Sequence, residues 1–314
     1  MTEGVSTKHL SKDEYEPPTV FSHFSAMILD CQVHAYEADN PARPWAHTLT
    51  GPLEITGEQL IAAMDTAGVD AAILVSPWML YRYDASYALS VRADFPDRIS
   101  IVKPIDILDP AVAEVVEQWA QTEGAIAIRI FEVPDNPLET HIDAALRAAA
   151  RCNLPVNVIC FERHERIAEW ARMHPHCRFA LDHMGIRPPL EPPVPAAPFT
   201  DLDAVLELAR FDNISIKMSG LGTLSLEGYP FHDIHDPIHR VLDTFGINRC
   251  MWGTDWTRAT RFLTYRQGVD AFRLHMGLSD NDRTALMSGT AQRFYDWWPK
   301  GGAQRPAQFT GERG

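Results

Sequence analysis

The sequence predicts a single-domain α/β protein, a (β/α)8 TIM barrel. Short runs rich in valine and isoleucine recur eight times, at 26–34, 70–77, 99–106, 125–131, 155–160, 178–183, 214–220 and 250–255. Continuous apolar runs of this length suit parallel strands buried on both faces. Segments of helical character separate them, which makes eight strand–helix units in about 250 residues, the count of such a barrel. A doubly wound open sheet is the rival, but it carries a glycine-rich phosphate turn, and no G-x-G-x-x-G follows any run here.

The elements follow in order. After the first run, AMILDCQVH, Thr56 and Gln59 form a capping-box pattern, Leu60 and Met64 share a helical face, and Gly68 supplies the stop. ETHIDAALRAAAR (139–151) and FERHERIAEWARM (161–173) are helix-favouring stretches that contain alanine. Beyond the eighth run Tyr265, Val269, Phe272 and Met276 keep helical spacing, and Ser279 with Asp282 caps a final helix through TAQRFYDWW. Residues 1–25 read as a polar arm, 26–299 as the barrel and 300–314 as a tail.

Three connections are long, 35–55, 185–199 and 221–236, after the first, sixth and seventh strands. The second holds six prolines and reads as a stiff, extended lid. Barrel sites lie on the face these connections build, and long insertions there are usually functional.

Composition narrows the class. The 314 residues are 46% hydrophobic and 22% charged, ordinary for a soluble globular chain. A net charge of −14 argues against a non-specific nucleic-acid or anionic-membrane binder, while leaving open a small anionic substrate held by a few cations in a cleft. Five scattered cysteines without a C-x-x-C suggest a reduced, intracellular protein. The first 25 residues hold no apolar signal core, and no run of 18 apolar residues occurs, so a cytoplasmic chain without a membrane span is expected. A monomer and a small homo-oligomer are equally compatible with these data.

Chemistry concentrates at the C-terminal ends of the strands. The first ends in Asp30, Gln32 and His34, the second in Ser76, the fourth holds Arg129, and the sixth ends in Asp182 and His183. Lys217 and Ser219 follow on the seventh, and Asp255 on the eighth, with Arg258 just beyond. Polar groups in apolar strands are costly to bury without partners, so a set at one end of six strands points to a site. Trp78, Tyr81, Trp252 and Trp256 are candidate pocket walls. His232, His235 and His239 have the spacing of a metal box, yet a loop running into a helix carries them, and they are read as non-ligands.

D-x-Q-x-H on the first strand, DHMG after the sixth, KMSG on the seventh, WGTDW on the eighth and SGTAQRFY near the end together resemble the amidohydrolase superfamily, over roughly residues 26–297. The likeness is nearest to the branch with metal-independent lactonases of the 2-pyrone-4,6-dicarboxylate type. It implies Asp255, His183 and His34 as catalytic residues, with Asp255 activating water. Gln32, Ser76, Arg129, Lys217 and Arg258 are then expected to bind substrate. Most of the superfamily binds divalent metal through an H-x-H on strand one, histidines on strands five and six and an aspartate on strand eight. Here the first motif is Q-x-H and NVICF lacks a histidine, so no cofactor is expected. The alternative keeps Zn2+ on His34, His183 and Asp255, as a metal-dependent amidohydrolase or a decarboxylase of a small aromatic or cyclic acid. The expected reaction is hydrolysis of a small carboxylate-bearing lactone or ester.

Overall fold

Eight strands form one sheet in sequence order, with every neighbouring pair parallel: β1 (Leu29–Val33), β2 (Ala71–Val75), β3 (Ile99–Pro104), β4 (Ala125–Phe131), β5 (Val156–Ile159), β6 (Phe179–Leu181), β7 (Ile214–Ser219) and β8 (Cys250–Gly253). The computed structural model describes residues 26–48, 51–131 and 139–300. The expected arm before residue 26 and all of the tail beyond 300 lie outside these residues. Helices Gly57–Ala67, Ser86–Asp94, Val112–Ala120, Glu139–Arg151, His164–Met173, Leu202–Leu206 and His235–Phe245 fall between successive strands. This is the expected TIM barrel. No helix among the described residues is long and apolar enough to cross a membrane.

The strands are buried on both faces, as their continuous apolar runs require. In β2, Ala71, Ile73 and Val75 join the barrel interior with Leu29 and Cys31, while Ala72 and Leu74 pack outward under the helices. Ala291 and Tyr295 of the terminal helix join the same interior cluster and close its floor. Above that apolar floor the interior turns polar, with Asn157, Arg129, Lys217 and Gln32 all buried. The cysteines are unpaired.

No regular ladder joins β8 back to β1 among the described residues. The two strands meet instead through Asp255 N–H, which donates to Gln32 O at 2.8 Å. A Cβ on Gly253 would lie 2.8 Å from Gln32 N, so only glycine permits this approach. The register of β1 on β2 also shifts between Asp30 and Val33, an irregularity of the kind that re-aims side chains at a barrel rim.

Several local expectations hold and a few shift. Thr56 and Gln59 complete a capping box, Gly68 ends that helix with φ 76°, and Ser279 accepts from Asp282 N–H. The helix expected from 161 begins at His164. Strand six stops at Leu181, because His183, Met184 and Gly185 all adopt left-handed backbone (φ 55°, 57° and 67°). The last helix stops at Tyr295, where Asp296 turns left-handed with φ 51°, so Trp297 and Trp298 lie beyond it.

Candidate active site

β8 and β1 deliver the centre. Asp255 follows β8 in left-handed backbone (φ 49°, ψ 29°) and is fully buried. Its Oδ2 accepts from Arg258 Nε at 2.8 Å, one turn further on. Its Oδ1 faces His34 Nε2 at 3.3 Å but has no hydrogen-bond partner. His34 Nδ1 lies 2.6 Å from Val75 O. A carbonyl only accepts, so Nδ1 carries the proton and Nε2 is directed at the carboxylate. Burial pushes the Asp255 carboxyl up, but Arg258, His183 and His34 outweigh it and hold it well below the usual range.

The turn after β6 aims His183 at the same carboxylate, with Nδ1 3.8 Å from Asp255 Oδ2. Nδ1 is also 3.0 Å from Ser219 Oγ and 3.3 Å from Ser219 O. Burial pushes the imidazole down to about 4 against the opposing pull of Asp255 and Asp182, so it is neutral near pH 7. Asp182, beside His183 at the end of the sixth strand, is a shared counter-ion. Arg129 Nε donates to Asp182 Oδ2 at 2.7 Å, and Lys217 Nζ lies 3.0 Å from Oδ1. Burial raises that carboxyl, yet Lys217 and Arg129 together pull it below its ordinary value.

Two cations therefore share one anion inside the barrel. Lys217 is fully buried and also donates to Gln32 Oε1. The carboxamide is thereby fixed with its NH2 group outward from the lysine, and Gln32 Nε2 is buried without a partner. Asn157 Nδ2 and Asp182 Oδ1 also lack a hydrogen-bond partner in this interior, and the Gln32 donor beside an excess positive charge and the Asp255 Oδ1 acceptor are the two that lie at the His34 end of the site.

His34, His183 and Asp255 thus converge, Arg258 joins them, and Gln32, Lys217 and Arg129 form an adjoining buried chain. Ser76 stands apart, because its hydroxyl donates to Asp84 O at 2.8 Å and ties down its own loop. Trp252 corrects an expectation: it faces the helix layer against Phe272 rather than a pocket. Trp78 stacks on Phe131 and Arg82, and Trp256 meets Tyr265 edge-on. Tyr81 is buried and donates its hydroxyl towards Glu37 O at 3.4 Å, in the connection after β1. Asn157, missed in the sequence, shares the register of Arg129 and accepts from Tyr295 Oη at 2.8 Å. A groove of about 340 Å³ beside the helix Gly57–Ala67 is lined in part by Tyr265 but by none of His34, His183, Asp255, Arg258, Gln32, Lys217 and Arg129.

As a metal site the set fits poorly. Among the described residues, no three His, Cys, Asp or Glu side chains converge as ligands. Arg258 occupies Asp255 Oδ2, and His183 turns toward that carboxylate, at 3.8 Å, the Nδ1 that also faces Ser219. Where an H-x-H would supply a ligand, Gln32 presents an amide donor held by an ammonium. His164 is committed to Gly185 O at 2.9 Å. His232 and His235 meet ring to ring, and His239 bonds Met276 O.

The amidohydrolase family model matches residues 30–297, nearly the whole barrel. The chain belongs to the amidohydrolase family, a family of hydrolases. An L-fucono-1,5-lactonase of Burkholderia multivorans is 26% identical over 297 residues, covering 86% of this chain and 96% of its own. Among solved structures, an amidohydrolase of Burkholderia multivorans with bound zinc superimposes at a TM-score of 0.70, with 24% identity, 87% of this chain and 100% of that one. A probable 2-pyrone-4,6-dicarboxylic acid hydrolase of Acinetobacter baumannii with citric acid bound gives 0.69, with 16% identity, 86% and 99%. These structures establish the amidohydrolase barrel as the shared fold.

Proposed function

We propose that this amidohydrolase opens a small carboxylate-bearing lactone with water activated by Asp255, without a metal ion. The observation that carries this is the meeting, beside His34, of two buried groups of opposite polarity without hydrogen-bond partners: the Asp255 Oδ1 acceptor and the Gln32 Nε2 donor. The lactonase relative supports the substrate class.

The step then runs as follows. Asp255 Oδ1 takes a proton from water as the water oxygen bonds to the lactone carbonyl carbon, and the carbonyl π electrons move to oxygen. Gln32 Nε2–H donates to that developing oxyanion, in a field made positive by Lys217 and Arg129 over Asp182. A donor so placed is worth about 10²–10³-fold. Collapse of the tetrahedral centre breaks the ring C–O bond, and the proton on Asp255 passes to the leaving ring oxygen. His34, its Nδ1 fixed on Val75 O, keeps Nε2 3.3 Å from Oδ1.

Arg258 is the most exposed of these three cations, with its side chain 24% exposed against 4% for Arg129 and 0% for Lys217. A substrate carboxylate competes with Asp255 for this guanidinium, whose planar fork matches two oxygens. Drawing Arg258 away also strengthens the base, since an aspartate freed of its cation binds a proton more readily. Among L-fucono-1,5-lactone, 2-pyrone-4,6-dicarboxylate and the neutral δ-valerolactone, the highest kcat/KM is therefore expected on the dicarboxylate. Ring opening followed by pH indicator reads this directly, and faster turnover of δ-valerolactone than of the dicarboxylate sinks the carboxylate assignment.

A further inference from the structure

The barrel's open seam, between β8 and β1, is where both halves of the proposed centre meet, and one buried carboxylate spans it. Asp30 on β1 is fully buried and has no cation within ion-pair distance among the described residues. Instead it accepts four hydrogen bonds. Oδ1 takes Gln32 N–H at 3.0 Å and Thr254 N–H at 2.9 Å, while Oδ2 takes the hydroxyls of Thr254 and, at 3.1 Å, Tyr265. Three of these four donors come from two residues near the catalytic pair in sequence: Thr254 precedes Asp255, and Gln32 lies two before His34.

The consequences reach Asp255 through its backbone. Thr254 Oγ1, whose proton goes to Asp30, accepts from Trp256 N–H at 3.2 Å. Asp255 N–H donates to Gln32 O, and His34 N–H donates to Thr257 Oγ1 at 3.2 Å. The left-handed turn that aims Asp255 is therefore pinned on both sides, and Asp30 is the acceptor at the centre of the pins. With no regular ladder across this seam, these bonds set the distance between His34 and Asp255.

We propose that Asp30, with Thr254 and Tyr265, is a positioning residue that sets the register of β8 on β1 and thereby the geometry of the Asp255–His34–Gln32 centre. The claim about kcat rests on the proposed lactonase reading, whereas the claim about the seam does not. A misplacement of about 1 Å at a reacting centre costs about 10²-fold, and loss of one buried hydrogen bond eases local opening about fivefold.

The test uses the full chain and two readouts, deuterium exchange by peptide and steady-state kinetics on 2-pyrone-4,6-dicarboxylate. In Tyr265→Phe and Thr254→Val, exchange at 29–36 and 250–257 is expected to rise about fivefold or more, with 99–104 and 125–131 unchanged. The kcat falls about tenfold or more while KM stays within about threefold. Thr254→Ser restores both. Asp30→Asn stays near wild type, because Oδ1 still accepts the two backbone N–H groups and the hydroxyls can turn to accept. Asp30→Ala loses the seam, and if it does not fold, the Tyr265 and Thr254 variants carry the test. Unchanged exchange at the seam in those two variants overturns the proposal, as does a rise spread evenly over all strands. A wild-type chain inert on every lactone sinks the lactonase reading and leaves the exchange result to stand or fall alone.

Discussion

Replacing Asp255 by Asn is expected to lower kcat by about 10²–10⁴-fold, the range for loss of a general base. The substitution keeps the volume and the left-handed turn, since asparagine tolerates that backbone better than most residues. Arg258 loses its carboxylate, but its side chain is part-exposed and can turn to water, so the melting temperature should change little. The double requirement, lost turnover in a chain that still folds, separates a chemical role from a structural one. Thermal unfolding and kinetics on the same preparation check it, and a variant that keeps wild-type kcat removes Asp255 from the chemistry.

Lys217→Met is expected to damage both stability and turnover. The ammonium is fully buried between Asp182 and Gln32. Breaking a buried ionic network by deleting one partner costs about 3–5 kcal/mol. Arg129 still pairs with Asp182, so the loss falls near the lower end, about 3 kcal/mol. Catalysis suffers separately, because the Gln32 carboxamide loses the donor that fixes which end faces the substrate. A fall in kcat of about 10²–10³-fold is expected, matched by Gln32→Leu with its lysine intact. Equal kcat in wild type and Lys217→Met would show that the amide does not depend on this lysine.

The sequence made the barrel legible because parallel strands need apolar residues on both faces, and that produces eight unbroken runs. It also made a candidate site visible, since Gln32, His34, Arg129, His183, Lys217 and Asp255 stand in or at the end of those runs. What it could not supply was pairing. Arg129 and Lys217 each required an anion, but nothing local says that both share Asp182, which is 53 residues from Arg129. That sharing leaves Arg258, paired with Asp255, as the most exposed of the three cations. Ser76 looked like a site residue by position alone, and only the fold of its loop shows its hydroxyl turned to Asp84 O. Asn157 left a faint signal, a lone amide in PVNVIC, that an apolar run hides. The capping box at Thr264 and Gln267, which starts the helix bearing Tyr265, had an explicit T-x-x-Q pattern and was readable. The bond from Tyr265 to Asp30 was not, because it depends on how the last strand closes against the first.

The most direct test of a base working without a metal is metal content of the purified chain, paired with turnover of 2-pyrone-4,6-dicarboxylate before and after chelation. Metal well below one ion per chain, with turnover unchanged by the chelator, is the expected result. One zinc per chain, lost together with activity and restored with it, would contradict it. His34, His183 and Asp255 would then be ligands, Arg258 would have to leave Oδ2 to admit the ion, and amide hydrolysis and decarboxylation would return as the leading reactions.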